Sequence, residues 1–254
     1  MSKYHGKFVW YDCMTSDQKA AEIFYASAIG WNMTDSGMTD RKYTLLSAGR
    51  VMVGGLMPIP DGVKAQPCWT GYIAVTDVDE FARRVTAVGG SIHREPTDIP
   101  GVGRFAIAAD PQGAIFFLLK PSQAETPATV APGTPGQIGW RELQAGNLDA
   151  AFGFYSSLFG WTKEEAIDMG AMGTYQLFAT GEAPVGGMMN KVPDAPGPFW
   201  LYYFHVDGLE AAAARVRHGG GKILHGPAQV PGGQWMAQCF DPQGAMFGML
   251  SHHK

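Results

Sequence analysis

The stretch Asp110-Pro-Gln-Gly-Ala114 recurs unchanged as Asp241-Pro-Gln-Gly-Ala245. Pro fixes φ and Gly accepts positive φ, so each copy predicts a tight turn between two strands. Outward from this stretch the match runs through both halves at a spacing of 130 to 132 residues. Trp10 has its counterpart in Trp140, Asp17 in Asn147, Phe24-Tyr25 in Phe154-Tyr155 and Gly30-Trp31 in Gly160-Trp161. Tyr43 matches Tyr175, Gly54-Gly55 matches Gly186-Gly187, Trp69 matches Trp200, and Tyr72 matches Tyr203. A spacing this constant identifies an internal duplication.

Each half parses alike. Gly6 to Asp12 reads as a short aromatic strand, and Asp17 as the N-cap of a helix over Gln18 to Ile29 that Gly30 stops. Asn147 and Gly160 do the same work in the second half. Tyr43 to Ser47, Arg50 to Leu56 and Trp69 to Val75 read as strands, and Asp77 caps a second helix over Val78 to Val88. Ser91 to Arg94, Gly103 to Ala109 and Ile115 to Leu119 complete the half as strands. The order predicts an α+β chain of four βαβββ units, two in residues 1–121 and two in 137–254. The Pro, Ala and Thr content of residues 122–136 predicts an extended linker.

Bulk composition fits two globular domains. The chain has 254 residues, 46% hydrophobic and 17% charged, with a net charge of −4. No basic patch invites nucleic acid, and no apolar run reaches the ~20 residues of a membrane-spanning helix. The N-terminal residues lack an apolar signal region, so the expected location is cytoplasmic. Cys13, Cys68 and Cys239 are odd in number and widely spaced, which predicts buried thiols rather than a disulfide framework. Cys13, read as following the first strand, is the one placed to be reactive. There is no phosphate-cradling loop and no nucleophile-elbow motif, so no cofactor is expected.

The strand, the polar cap, the helix ending in Phe-Tyr and Gly-Trp, the later aromatic strand and the Asp-Pro-Gln-Gly turn together resemble the vicinal oxygen chelate (glyoxalase/bleomycin-resistance/dioxygenase) superfamily. The opening Trp10-Tyr11-Asp12 is similar to that of tandem glyoxalase-like bacterial proteins. The resemblance implies that paired βαβββ units curl into a half-open, cup-shaped sheet with helices outside and a small-molecule ligand inside. It also implies that the fusion replaces the homodimer of single-domain relatives, giving a monomer with an internal pseudo-dimer.

Metal-dependent members hold a divalent ion with His and Glu side chains from four strands. Carried over residue by residue, those positions fall on Trp10, on or near Gly54-Gly55, on Tyr72 and near Phe117. In the second half they fall on Trp140, Gly186-Gly187, Tyr203 and near Gly248. Indole and phenyl groups cannot ligate a hard cation, so no metal is expected. Trp10, Tyr72, Phe117, Trp140 and Tyr203 instead become candidate ligand contacts.

Three polar residues stand near these positions. Asp12 and Glu142 each lie two residues beyond a Trp, on the same strand face. They are placed to bind a polar ligand or act as a base, and equally to cap a turn or pair with an arginine. His205 lies two residues after Tyr203, and is either a core histidine or an acid/base group of the second half. Three readings follow: a metal-free protein binding an aromatic or planar organic molecule, an enzyme of glyoxalase-, isomerase- or hydroxylase-like chemistry centred on Glu142 and His205, or an interaction domain whose aromatics fill their own cups.

Overall fold

A computed structural model describes residues 4–39, 41–122 and 130–254. The first repeat runs β1 (Phe8–Thr15), α1 (Gln18–Ala28), β2 (Asn32–Asp35), β3 (Thr44–Ala48), β4 (Val51–Pro58), β5 (Cys68–Ala74), α2 (Val78–Ala87), β6 (Ser91–Ile99), β7 (Gly103–Ala109) and β8 (Ile115–Pro121). The second runs β9 (Ile138–Ala145), α3 (Leu148–Phe159), β10 (Thr162–Asp168), β11 (Thr174–Ala179), β12 (Pro184–Asn190), β13 (Phe199–His205), α4 (Leu209–His218), β14 (Lys222–Gln229), β15 (Trp235–Phe240) and β16 (Met246–Ser251). The four βαβββ units are all present. They form two eight-stranded mixed sheets, ordered β2-β3-β4-β1-β5-β8-β7-β6 and β10-β11-β12-β9-β13-β16-β15-β14. The hairpins pair antiparallel, while β1 with β4 and β5 with β8 pair parallel.

The helices start where the sequence places their caps. Asp17 accepts the Ala20 N–H at 3.0 Å, Asp77 that of Glu80 at 2.9 Å, and Asn147 that of Ala150 at 2.9 Å. These bonds satisfy amides the first helical turn leaves unpaired. Helix α4 begins at Gly208 without a side-chain cap, and gains instead from Arg215, Arg217 and His218 in its last turn. Three strands differ from expectation: β2, over Asn32–Asp35, is not among the expected strands and completes the first βαβββ unit. β1 continues past Asp12 to Thr15, and β6 continues past Arg94 to Ile99, its pairing with β7 shifting register on either side of Arg94. Cys13 therefore lies within β1 and not after it. It is fully buried, and burial, reinforced by the Asp241 carboxylate, pushes its thiol well above the usual range. A thiol held protonated is a poor nucleophile. Of the expected linker, residues 123–129 lie outside the described residues. Residues 130–136 turn, and Gly136 gives its carbonyl to the Trp31 indole at 2.7 Å.

Contacts group the chain into two compact units that each take half of each repeat. One comprises Met1–Trp10, Thr70–Pro127 and Arg141–Trp200, the other Tyr11–Trp69, Ala128–Trp140 and Leu201–Lys254. The duplicated motifs meet inside each unit. In the first unit, Asp110 Oδ1 accepts the amides of Gln112 and Ala114 at 2.8 and 3.0 Å, closing the turn. Its Oδ2 accepts the Tyr155 hydroxyl at 3.2 Å, and Tyr155 in turn accepts the Trp200 indole N–H at 3.0 Å. In the second unit, Asp241 Oδ1 accepts the amides of Gln243 and Ala245 at 2.9 and 2.8 Å, Oδ2 accepts the Tyr25 hydroxyl at 3.0 Å, and Trp69 donates to Tyr25 at 2.8 Å. Both aspartates, both tyrosines and both tryptophans are buried. Helices α1 and α3 present Tyr25 and Tyr155 from faces that also bury Phe24 with Ala28, and Phe154 with Leu158.

Removing a hydroxyl from this chain leaves a buried carboxylate oxygen and a buried indole N–H short of a partner, at about 1–3 kcal/mol. Tyr25→Phe and Tyr155→Phe are each expected to lower unfolding free energy by that amount in urea titrations. A pH dependence follows too. Burial raises the Asp241 carboxyl above its usual range despite its hydrogen bonds. Between the ordinary and the raised value the folded chain binds a proton the unfolded chain does not, so this group's contribution grows more favourable as pH falls through that window. The stability of the native chain relative to Asp241→Asn should rise as pH is lowered from neutral. A gap that narrows instead would show that hydrogen bonding outweighs burial.

Candidate functional site

The duplication places the same three-residue arrangement on each sheet. In the first repeat, Asp12 on β1 pairs in register with Gly55 on β4. Tyr43, just before β3, reaches across that glycine and donates to Asp12 Oδ1 at 2.7 Å. In the second, Glu142 on β9 pairs with Gly187 on β12, and Tyr175 on β11 donates to Glu142 Oε2 at 3.0 Å. A Cβ at Gly55 would lie inside the Tyr43 ring, and one at Gly187 inside the Tyr175 ring. The glycines are therefore the space the tyrosines occupy, a requirement of close approach rather than of backbone conformation. Asp12 and Glu142 are both buried, at 3% and 6% exposure. A phenol holds each. Gln144 adds a third member in the second repeat, donating to Glu142 Oε1 at 2.7 Å, so both oxygens of Glu142 are held.

The aromatic candidates divide by unit. Tyr72, Phe105, Phe117 and Leu119 form one buried cluster, against which Trp10 packs, partly buried. Tyr72 pairs in register with Phe117, their rings edge to face at 4.7 Å. Tyr203 holds the equivalent place opposite Gly248, and its ring covers that glycine. The Tyr203 hydroxyl accepts the Gln238 amide at 2.7 Å. His205, 7% exposed, lies with its ring parallel to that of His252 at 6.2 Å, and Gly139 packs against its imidazole. Trp140 is partly buried in the same unit. Glu142 belongs to one unit, and His205 with Tyr203 to the other.

The fold family's divalent metal can be tested against these side chains. The carried-over positions offer indole, a phenol ring or phenyl, and glycine, and the glycines' space is taken by tyrosine. Among the described residues, no three His, Cys, Asp or Glu side chains converge as a metal site needs. The donor set does not fit the ion. Two surface concavities lie elsewhere: about 430 Å³ between α2 and β6, and about 200 Å³ beside His252 and His253.

Sequence reasoning missed Tyr43, Tyr175, Gln144 and Gln238 as members of these sites. A signal existed for the tyrosines, which recur with the paired glycines in both halves. Gln144 carried the signal of standing two residues beyond Glu142 on one strand face, whereas nothing marked Gln238, whose partner lies 35 residues away. No helix of the described residues is long and apolar enough to cross a membrane.

Comparison with known proteins accords with this architecture. The model of the Glyoxalase/Bleomycin resistance protein/Dioxygenase superfamily matches residues 7–116 and 137–249. A Mycobacterium tuberculosis protein named "Putative glyoxylase CFP32" is 34% identical over 246 residues, spanning 95% of this chain and 93% of that protein. "Anthracycline biosynthesis protein DnrV" of Streptomyces peucetius is 31% identical over 263 residues, spanning 96% and 93%. The solved Mn(II)-bound glyoxalase from Novosphingobium aromaticivorans shares the fold at a TM-score of 0.67 and 17% identity, over 97% of this chain and 81% of that one. With four βαβββ units in two sheets and a family match over each repeat, this chain belongs to the Glyoxalase/Bleomycin resistance protein/Dioxygenase superfamily as a tandem, two-domain member.

Proposed function

We propose that the chain is a glyoxalase-like, metal-independent small-molecule-binding protein whose ligand is a planar, aromatic organic molecule. One observation carries this reading: aromatic groups and tyrosine-filled glycines replace the metal ligands in both repeats, while a buried carboxylate beside each remains held by a phenol. The contact residues are Trp10, Tyr72 and Phe117 in one unit and Asp12, Trp140 and Tyr203 in the other. Aromatic side chains provide flat, apolar contact area for a planar ligand. The name of the Streptomyces relative, an anthracycline biosynthesis protein, supports a ligand of that shape.

The alternative is catalysis by Glu142 and His205. It is favoured by the burial of both, and disfavoured by the placement of Glu142, whose two oxygens are already engaged by Tyr175 and Gln144. A carboxylate so held is better suited to accept a hydrogen bond from a ligand than to travel with a proton.

Isothermal titration against a panel of planar aromatic compounds tests the binding reading. Binding is expected for at least one, unchanged by a chelator, and weakened about tenfold by Trp140→Ala, consistent with ~0.5–1.5 kcal/mol for an aromatic contact. No heat from any compound, or binding that the chelator abolishes, would overturn it. Gly187→Ala tests the carboxylate's holder. Its methyl must displace Tyr175 from Glu142, at about 1–3 kcal/mol of overpacking. Thermal unfolding should shift down accordingly, and a melt identical to the native chain's would contradict the close approach described here.

A further inference from the structure

The concavity of about 430 Å³ between helix α2 and strand β6 lies within one compact unit. Three features give it its shape. β6 is the end strand of its sheet, and its pairing with β7 shifts register twice, between Ile92 and Arg94 and between Arg94 and Thr97. Such bulges bend an edge strand. The helix faces the gap with Ala82, and the strand is entered through Gly90, so little side chain fills it. Arg104 ties the two walls together. Its Nε and Nη2 donate to Asp79 on α2 at 2.7 and 2.9 Å, and its Nη1 donates to Asp98 on β6 at 3.0 Å.

Burial separates a floor from a rim. Ala82 is buried and Ile92 and Pro96 are half-buried, which makes the floor apolar. Arg83 and Thr86 from the helix, and Ser91 and Glu95 from the strand, are exposed and form the rim. The sister repeat keeps the frame and changes the rim. Ala82, Gly90, Ile92 and Pro96 correspond to Ala213, Gly221, Ile223 and Pro227. Arg83, Glu95 and Arg104 correspond to Ala214, Gly226 and Trp235, while Thr86 and Ser91 correspond to Arg217 and Lys222. Only the first repeat therefore sets a cation of the helix against an anion of the strand. Among the described residues, Asp79 and Asp98 are taken by Arg104, whereas Arg83 and Glu95 form no salt bridge across the gap.

We propose that this groove is a second small-molecule site, for a zwitterionic amino acid with an apolar side chain. Arg83 takes the carboxylate, Glu95 takes the ammonium, and the floor of Ala82, Ile92 and Pro96 takes the side chain. A guanidinium presents paired donors that match a carboxylate, and a carboxylate accepts from an ammonium. Apolar contact with the floor adds the side chain's share. The volume of about 430 Å³ falls within the roughly 300–1,000 Å³ of small-molecule sites. A ligand with one charge leaves the other wall unmatched, and an uncharged one leaves both. None of these residues is a contact of the aromatic sites above, so occupancy of the groove is independent of theirs.

The test is titration of the full, isotope-labelled chain with L-phenylalanine, followed by amide NMR shifts, with phenylacetate and phenethylamine as single-charge comparisons. Shifts are expected on α2 and β6, and phenylalanine is expected to bind more tightly than either comparison. Arg83→Gln should weaken phenylalanine and phenylacetate about threefold to fivefold, the upper range for an exposed ion pair, and leave phenethylamine unchanged. Glu95→Gln should weaken phenylalanine and phenethylamine by a similar factor and leave phenylacetate unchanged. Both side chains are exposed, so circular dichroism melts of the variants should match that of the native chain. The site is overturned by an absence of shifts on α2 and β6, by equal binding of all three compounds, or by variants that bind phenylalanine as the native chain does. Losses that ignore the charge of the ligand overturn it as well.

Discussion

In each compact unit a buried tryptophan donates to a tyrosine, and the tyrosine donates to the aspartate of an Asp-Pro-Gln-Gly turn. The aspartate also closes its own turn through two backbone amides, so one carboxylate fixes the last hairpin of one repeat and the first helix of the other. Three buried polar groups with every bond oriented are far more restrictive than apolar packing, because any displacement strands a donor or an acceptor in a dry environment. The helices α1 and α3, the strands carrying Trp69 and Trp200, and the two turns are thereby tied to single positions. The surrounding aromatic packing, such as Tyr155 stacked on Trp161 at 5.1 Å, fills in around that frame.

The same economy appears on the opposite face of the sheets. Family members use the first and fourth strands to present metal ligands; here the fourth strand presents glycine and a tyrosine lies over it. The resulting carboxylate–phenol pair, its carboxylate buried, stands in each repeat. Its duplication with Asp in one repeat and Glu with Gln144 in the other indicates that the scaffold tolerates divergence next to a conserved arrangement. The larger divergence sets Gly248 against Phe117 and Gln238 against Ile107, so Gln238 donates to Tyr203 where the first repeat packs Ile107 beside Phe117.

Much of the fold was legible because its signals are local. A cap residue acts within three positions and a Pro-Gly turn within four. The 130-to-132-residue offset needs only comparison of the chain with itself. The residue types standing at the positions where metal-dependent members carry ligands were legible for the same reason, since they depend on position alone. Cys13 was misplaced by a strand end, where local preference is weakest and pairing with Leu56 on β4 decides.

The sequence by itself thus determined the duplication, most of the element order and the residue types at the carried-over metal positions. The tertiary structure alone decided which polar groups meet. Tyr43 and Asp12 are 31 residues apart, Gln238 and Tyr203 are 35 apart, and Tyr25 and Asp241 are 216 apart. Such pairs depend on strand order and register, in which a slip of one residue turns a side chain to the other face of the sheet. No local preference encodes that choice; it is set by burying the whole aromatic core at once.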